Sequence, residues 1–291
     1  MKNDLAYDIG GYDGADTAHY LELGFRVICV EASPVLAQRI SARFAKEISA
    51  GLCTVLNVAV AERDGMLPFY LCAEDGALSS FDKSKLDASG LTAREITVPS
   101  RAFASIIEQY GVPRFLKVDI EGADRFAILA LTAGTAPEFL SFEASEQDTD
   151  VILHLYSIGY RRFNLVRQDI HEPLVLCRPG SLAHVRWAVR QWVRMALRKH
   201  VRLHAAARWV RSGRLGQMAG VATGFHNVVT SGLTPMEQTV GWRSIDELLH
   251  DWKAIIHSGI IGSAWFDIHA ALSDEGATPA DPPKQRLAVT L

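Results

Sequence analysis

An α/β fold, a parallel sheet doubly wound with helices on both faces, is predicted by three features of the first 160 residues. Short β-branched runs alternate with helical runs at β-α-β spacing. The first run leads into a turn that holds three glycines, in YDIGGYDGADT, as at the strand-to-helix turn of nucleotide-binding sheets. The second run ends on a lone carboxylate, Glu31, in VICVEASP.

Taken in order, strands are expected at residues 5–10, 26–31 (RVICVE), 54–60 (TVLNVAV), 115–120 (FLKVDI), 139–143 (FLSFE) and 157–166. Residues 15–23 read as the first helix. Pro34 opens a second that runs to about Ser49, proline being tolerated in a first turn. Residues 67–97 form a polar insertion, with a hairpin at LPFYL and a loop carrying GALSSFDKS, placed where loops cover the active edge of such sheets. Beyond Ala183 the spacing becomes helical. Val185, Val189, Trp192, Val193, Ala196 and Leu203 fall on one face, and Arg186, Arg190, Arg194, Arg198 and Arg202 on the other. A helix over about 244–257 and the segment AWFDIHA follow. The domain reading is therefore a core over 1–178, a basic helical insertion and Gly-rich linker over 179–235, a segment over 236–272 packing back on the core, and a disordered tail over 273–291.

Composition bounds the function. The chain has 291 residues, 48% hydrophobic and 22% charged, enough for a sizeable core. No apolar run reaches the roughly 20 residues of a membrane span, and the start is too short and acidic for a signal peptide, so a cytoplasmic protein is expected. Cys29, Cys53, Cys72 and Cys177 are widely spaced, which argues for thiols rather than disulfides or zinc. The net charge of −3 hides an asymmetry. Between Glu172 and Glu237 there are ten cations and no acid, leaving 20 cations against 33 acids elsewhere.

The acids of the first turn decide which ligand suits it. A dinucleotide asks for G-x-G-x-x-G, and the frame from Gly10 puts Tyr12 and Ala15 at the second and third glycines. Asp13 and Asp16 would also face a pyrophosphate, so NAD is disfavoured. A cationic ligand without phosphate fits, and S-adenosyl-L-methionine, with its ammonium and sulfonium, is one. Asp8 would accept from the amino group, Gly10, Gly11 and Gly14 would let the methionyl part lie on the backbone, and Glu31 with Ala32 would meet the ribose hydroxyls. Ala61 and Glu62, in NVAVAERDG, would border the adenine; a solvated turn is the plain alternative.

These motifs, with LSSFDK, FLKVDIEGAD, FLSFEAS and the late WFDIHA, resemble in order and spacing the FkbM-type methyltransferases. The resemblance covers about residues 5–170 and 241–270 and departs at Tyr12, where members often carry Asn. It implies a Rossmann-like class I methyltransferase sheet with a C-terminal helical elaboration, S-adenosylmethionine as methyl donor, and O-methylation of a hydroxyl, most plausibly on a sugar of a polysaccharide, lipid-linked glycan or glycosylated metabolite. In such a sheet the KVDIEGAD strand lies beside the first, which brings Asp119 to the methyl group as candidate base, with Glu121 or Glu143 in support. Lys117 pairing with an acid merely to satisfy a buried strand end is the competing reading. Those carboxylates lack the ligand spacing that would demand a metal, and none is expected. His269 would be an acceptor contact or second base, or a buried histidine bonded to backbone.

The basic helix reads as an interfacial helix on the inner membrane face, a surface for an acidic partner or glycan, or a solvated arginine face. Nothing resembles a nucleic-acid motif. A non-catalytic protein that keeps the fold and docks through Arg186, Arg190, Arg194, Arg198 and Arg202 is the alternative to an enzyme.

Overall fold

The computed structural model describes residues 4–72, 80, 83, 92–120, 122–167, 172–173, 234–236, 241–257 and 266–272. Glu121, most of the GALSSFDKS loop, Cys177, the arginine segment with Arg186, Arg190, Arg194, Arg198 and Arg202, and the tail lie outside the described residues. The chain divides into two units, Met1–Leu174 with Thr230–Leu291, and Val175–Val229. Only the first contains described residues.

The main sheet is built from β1 (Leu5–Ile9), β2 (Arg26–Val30), β3 (Cys53–Leu56), β7 (Phe115–Val118), β8 (Phe139–Glu143), β9 (Tyr160–Arg167), β10 (Glu172–Pro173) and β11 (Phe266–Leu272). Its order is β10-β9-β11-β8-β7-β1-β2-β3, with β11 antiparallel between β8 and β9, and β10 antiparallel to β9. This is the doubly wound class I methyltransferase arrangement. The chain leaves β1 toward β2 and β3 and returns to place β7 on the other side of β1, which makes the β1/β7 boundary the topological switch point where ligands bind.

Helices cover both faces. On one, Tyr20 of α1 (Ala15–Glu22) packs edge-on against Phe115 with ring centroids 5.1 Å apart, a geometry that adds about 0.5–1.5 kcal/mol beyond burial. On the other, Phe103 of α4 (Phe103–Tyr110) meets Tyr7, 6.2 Å between centroids. The helix expected over 34–49 is two, α2 (Pro34–Arg43) and α3 (Ala45–Ser49). The break falls at Phe44, which leaves helical geometry at φ −105° and joins a core with Cys29, Ile40 and Cys53.

The strand expected over 54–60 also divides. β3 stays in the main sheet, whereas β4 (Ala59–Ala61) joins a second sheet of order β4-β6-β5, with β5 (Gly65–Cys72) and β6 (Ala93–Ala102). Between them the Asn57 side-chain amide donates to the carbonyls of Glu31 and Ala32, at 2.9 and 3.1 Å, and turns the chain. The hairpin predicted at 67–71 is β5 pairing antiparallel with β6 across the long insertion. Residues 149–157 form α6 (Thr149–Ser157), so β9 starts at Tyr160 rather than Ser157. The late helix α7 (Ile245–His257) begins with a capping box: Glu247 accepts from the Ser244 backbone at 2.9 Å and Ser244 Oγ from that of Glu247 at 3.4 Å. Trp252 on it is fully buried in the core.

Candidate functional site

The glycine turn closes over the end of β1. Gly10 and Gly11 both donate to the Val30 carbonyl, at 2.9 and 3.1 Å, which latches the turn to β2. Gly10 has φ +94°, and a Cβ there would overlap the carbonyl oxygen of Asp119. No other residue fits between β1 and β7. The turn thus sits at the switch point with the Asp119 backbone packed directly against Gly10. Tyr12 takes φ +47°, the left-handed region. Asn enters that region more readily than Tyr does.

Glu31 is buried and fixes the cradle from the side. One carboxylate oxygen accepts from Ser33 N at 2.7 Å and the other from Tyr12 N at 2.9 Å. Burial raises its pKa, while those two backbone donors hold it down. Each oxygen keeps a second lone pair, so the carboxylate can still accept from the hydroxyls of a diol.

Lys117 organises the floor. Its ammonium lies 3.2 Å from Asp16, 3.5 Å from Asp119 and 3.6 Å from Asp8, and donates to the Gly10 carbonyl at 3.3 Å. Burial alone would lower the pKa of this amine; the carboxylates of Asp119, Asp16 and Asp8 instead push it well above the usual lysine range. Asp8 corrects the sequence reading. It is fully buried and accepts from Thr17 Oγ1 at 2.6 Å, so it braces β1 against α1 and Lys117 and has no surface left for an amino group of a ligand. Burial, opposed by Lys117, raises its pKa to about 6. Asp119 keeps 30% of its side chain exposed and is the member of the cluster that faces outward.

Glu143 is half-buried at the end of β8. His269 sits on β11, opposite Ser141 of β8 and Asn164 of β9. Burial lowers its pKa to about 3, so the ring is neutral and a poor base. The expected bond to backbone is also absent at Nδ1, which is buried with no hydrogen-bond partner among the described residues. Ala32 packs on the small sheet beside Ala59, Ala61 is buried in β4 opposite Ala102, and Glu62 is exposed in the turn that follows.

Sequence reasoning passed over Asp124 and Asn57. Asp124, in α5 (Asp124–Ile128), is buried and accepts from Ile120 N at 3.3 Å and Gly122 N at 3.0 Å, shaping the turn that carries Asp119. Burial, and then the charge of Asp119, raises its pKa to about 7. An acid directly after Glu-Gly-Ala, at the head of a helix, was its available signal. The signal for Asn57 was an amide at the end of a β-branched run.

Residues 8–162 match the family model described as the methyltransferase FkbM domain. No curated protein matches. Among solved structures, a precorrin-6y C5,15-methyltransferase from Geobacter metallireducens GS-15 is similar at 13% identity, over 58% of this chain and 70% of that one, with a TM-score of 0.31. A putative RNA methyltransferase from Pyrococcus horikoshii is similar at 14% identity, over 57% and 65%, with a TM-score of 0.28. With the family model spanning more than half of its length on a class I sheet, the chain belongs to the FkbM methyltransferase family, whose methyl donor is S-adenosylmethionine.

Proposed function

We propose that the protein is an O-methyltransferase whose acceptor is a hydroxyl, on a sugar of a polysaccharide, lipid-linked glycan or glycosylated metabolite, and that it works in the cytoplasm. The observation that carries this reading is Asp119: a partly exposed carboxylate at the switch point, against the Gly10 cradle and 3.5 Å from a buried ammonium. When bound, the cofactor supplies an electrophilic methyl group on a sulfonium. The Gly10–Gly11 backbone and Glu31 would hold it. Asp119 takes the acceptor proton as the oxygen–carbon bond forms and the carbon–sulfur bond breaks, its electron pair leaving with sulfur. Lys117 and Asp124 hold Asp119 in place, one by charge and one through the turn.

The cytoplasmic part of the reading is supported by Cys29 and Cys53, both buried thiols. The test is mass spectrometry of surface glycans from cells with and without the gene. A loss of about 14 daltons per site, the mass of one CH2, is expected where the methyl is missing; unchanged glycans with methylation lost from a protein or nucleic acid instead would overturn the acceptor class.

A further inference from the structure

The turn after β1 carries an aromatic residue where the backbone favours a small one. Among the described residues Tyr12 is the one non-glycine residue at positive φ, +47°, and a bulky side chain there is a true outlier. The chain is clamped into that conformation from both sides. Gly10 and Gly11 are latched to the Val30 carbonyl, Gly14 N donates to the Gly11 carbonyl at 2.7 Å, and an Arg43 guanidinium nitrogen donates to the Asp13 carbonyl at 2.8 Å. Tyr12 N itself donates to Glu31 Oε2 at 2.9 Å. Glycine or asparagine would take this position at less cost. Nor is the ring part of the core: the inward side of the turn is taken at Gly11, where a Cβ would strike Cys29 Sγ, and Tyr12 keeps 39% of its surface exposed. Strained residues that their surroundings over-determine gather where ligands are clamped.

Its place names the part of the ligand. The Tyr12 amide shares the Glu31 carboxylate with the ribose hydroxyls assigned to that acid, and the ring is attached beside the amide, within reach of what Glu31 holds. In S-adenosylmethionine the sulfonium is carried on the exocyclic carbon of the same ribose. A sulfonium has no N–H or O–H to donate, so hydrogen-bond acceptors cannot recognise it as they do an ammonium. The electron-rich face of an aromatic ring attracts such a cation without a hydrogen bond.

We propose that Tyr12 is a cofactor-contact residue whose ring face meets the sulfonium of the methyl donor, so that the site prefers the charged donor to its thioether product, S-adenosylhomocysteine. The charge is lost when the methyl leaves, and the same ring then favours release of the product. This role rests on the reading of the glycine turn and Glu31 as the cofactor site.

Calorimetry on the full chain with S-adenosylmethionine and S-adenosylhomocysteine, which differ by the methyl group and its charge, reads the preference directly. Tyr12→Leu removes the ring face and keeps an apolar side chain at the same φ. It should weaken S-adenosylmethionine by about three- to tenfold and S-adenosylhomocysteine by less than about twofold. Tyr12→Phe keeps the ring and should hold the ratio of the two affinities within about twofold of the wild type. With an isotope-labelled methyl on the donor, its bound proton resonance should lie further upfield in the wild type and Tyr12→Phe than in Tyr12→Leu, because a ring face shields what sits over it. If Tyr12→Leu fails to fold, Tyr12→Asn, which suits the left-handed backbone, reads the same ratio. A ratio untouched by loss of the ring, equal weakening of both ligands, or a loss in Tyr12→Phe as large as in Tyr12→Leu overturns the proposal. Those outcomes leave the methyltransferase reading standing, since the wild type still binds both ligands; a wild-type chain that binds neither removes both.

Discussion

The ammonium of Lys117, on the strand after the insertion, stands 3.2 Å from the carboxylate of Asp16, on the first helix. With Asp8 and Asp119 also in reach, one buried cation ties α1, β1 and β7 together beneath the cradle. Removing it leaves buried acids unpaired. Lys117→Met should cost about 3–5 kcal/mol, or roughly 6–20 °C in Tm for a chain of this size. Thermal unfolding within 2 °C of the wild type, roughly what 0.5–1 kcal/mol would produce, would show that the cluster is neutralised by other means.

Gly10→Ala should abolish cofactor binding. The substitution forces a Cβ into the Asp119 carbonyl at a left-handed φ, so the cradle cannot close. Calorimetry with S-adenosylmethionine checks it, and an affinity within threefold of the wild type would contradict the cradle; threefold is about 0.65 kcal/mol, less than such strain.

Two buried groups make stability depend on pH in opposite directions. Asp124 has its pKa raised to about 7, so folding favours its protonated form. Its contribution is complete below the unfolded value near 4 and is lost as pH rises through about 7. His269, lowered to about 3, contributes fully above its unfolded value near 6.5, and that contribution falls away as pH drops toward 3. Urea denaturation from pH 4 to 8 should therefore give Asp124→Asn a flatter decline between about pH 4 and 7 than the wild type shows. Nitrogen NMR of His269 should show a neutral ring at pH 5, about 1.5 units below the ordinary histidine pKa; a protonated ring there would contradict its burial.

Tyr12→Asn should stabilise the protein by about 0.5–1 kcal/mol, because the left-handed backbone at this position costs Asn less. The denaturant midpoint reads this directly. A fall in the midpoint would mean that the tyrosine ring contributes more than its backbone costs.

Much of this was legible in the residues. The alternation of runs predicted the parallel half of the sheet, and the KVDIEGAD strand does lie beside the first. What escaped was set by long-range contact. Asp8 looks like any strand-end acid until α1 brings Thr17 over it and β7 brings Lys117 beside it. TVLNVAV reads as one strand because β propensity is local, whereas its division depends on Asn57 reaching the carbonyls of Glu31 and Ala32. The pairing of FDIHA with β8 had no local signal, since it forms only after more than a hundred intervening residues have been spanned.

The central claim is that Asp119 acts on a hydroxyl held beside a cofactor that the glycine cradle binds. Its most direct test is a pair of measurements on Asp119→Asn: calorimetry with S-adenosylmethionine, and turnover on the acceptor that the glycan comparison identifies. Cofactor affinity should stay within about threefold and turnover should fall by about 10²–10⁴-fold, the range for loss of a general base. Unchanged turnover at unchanged affinity would contradict the account.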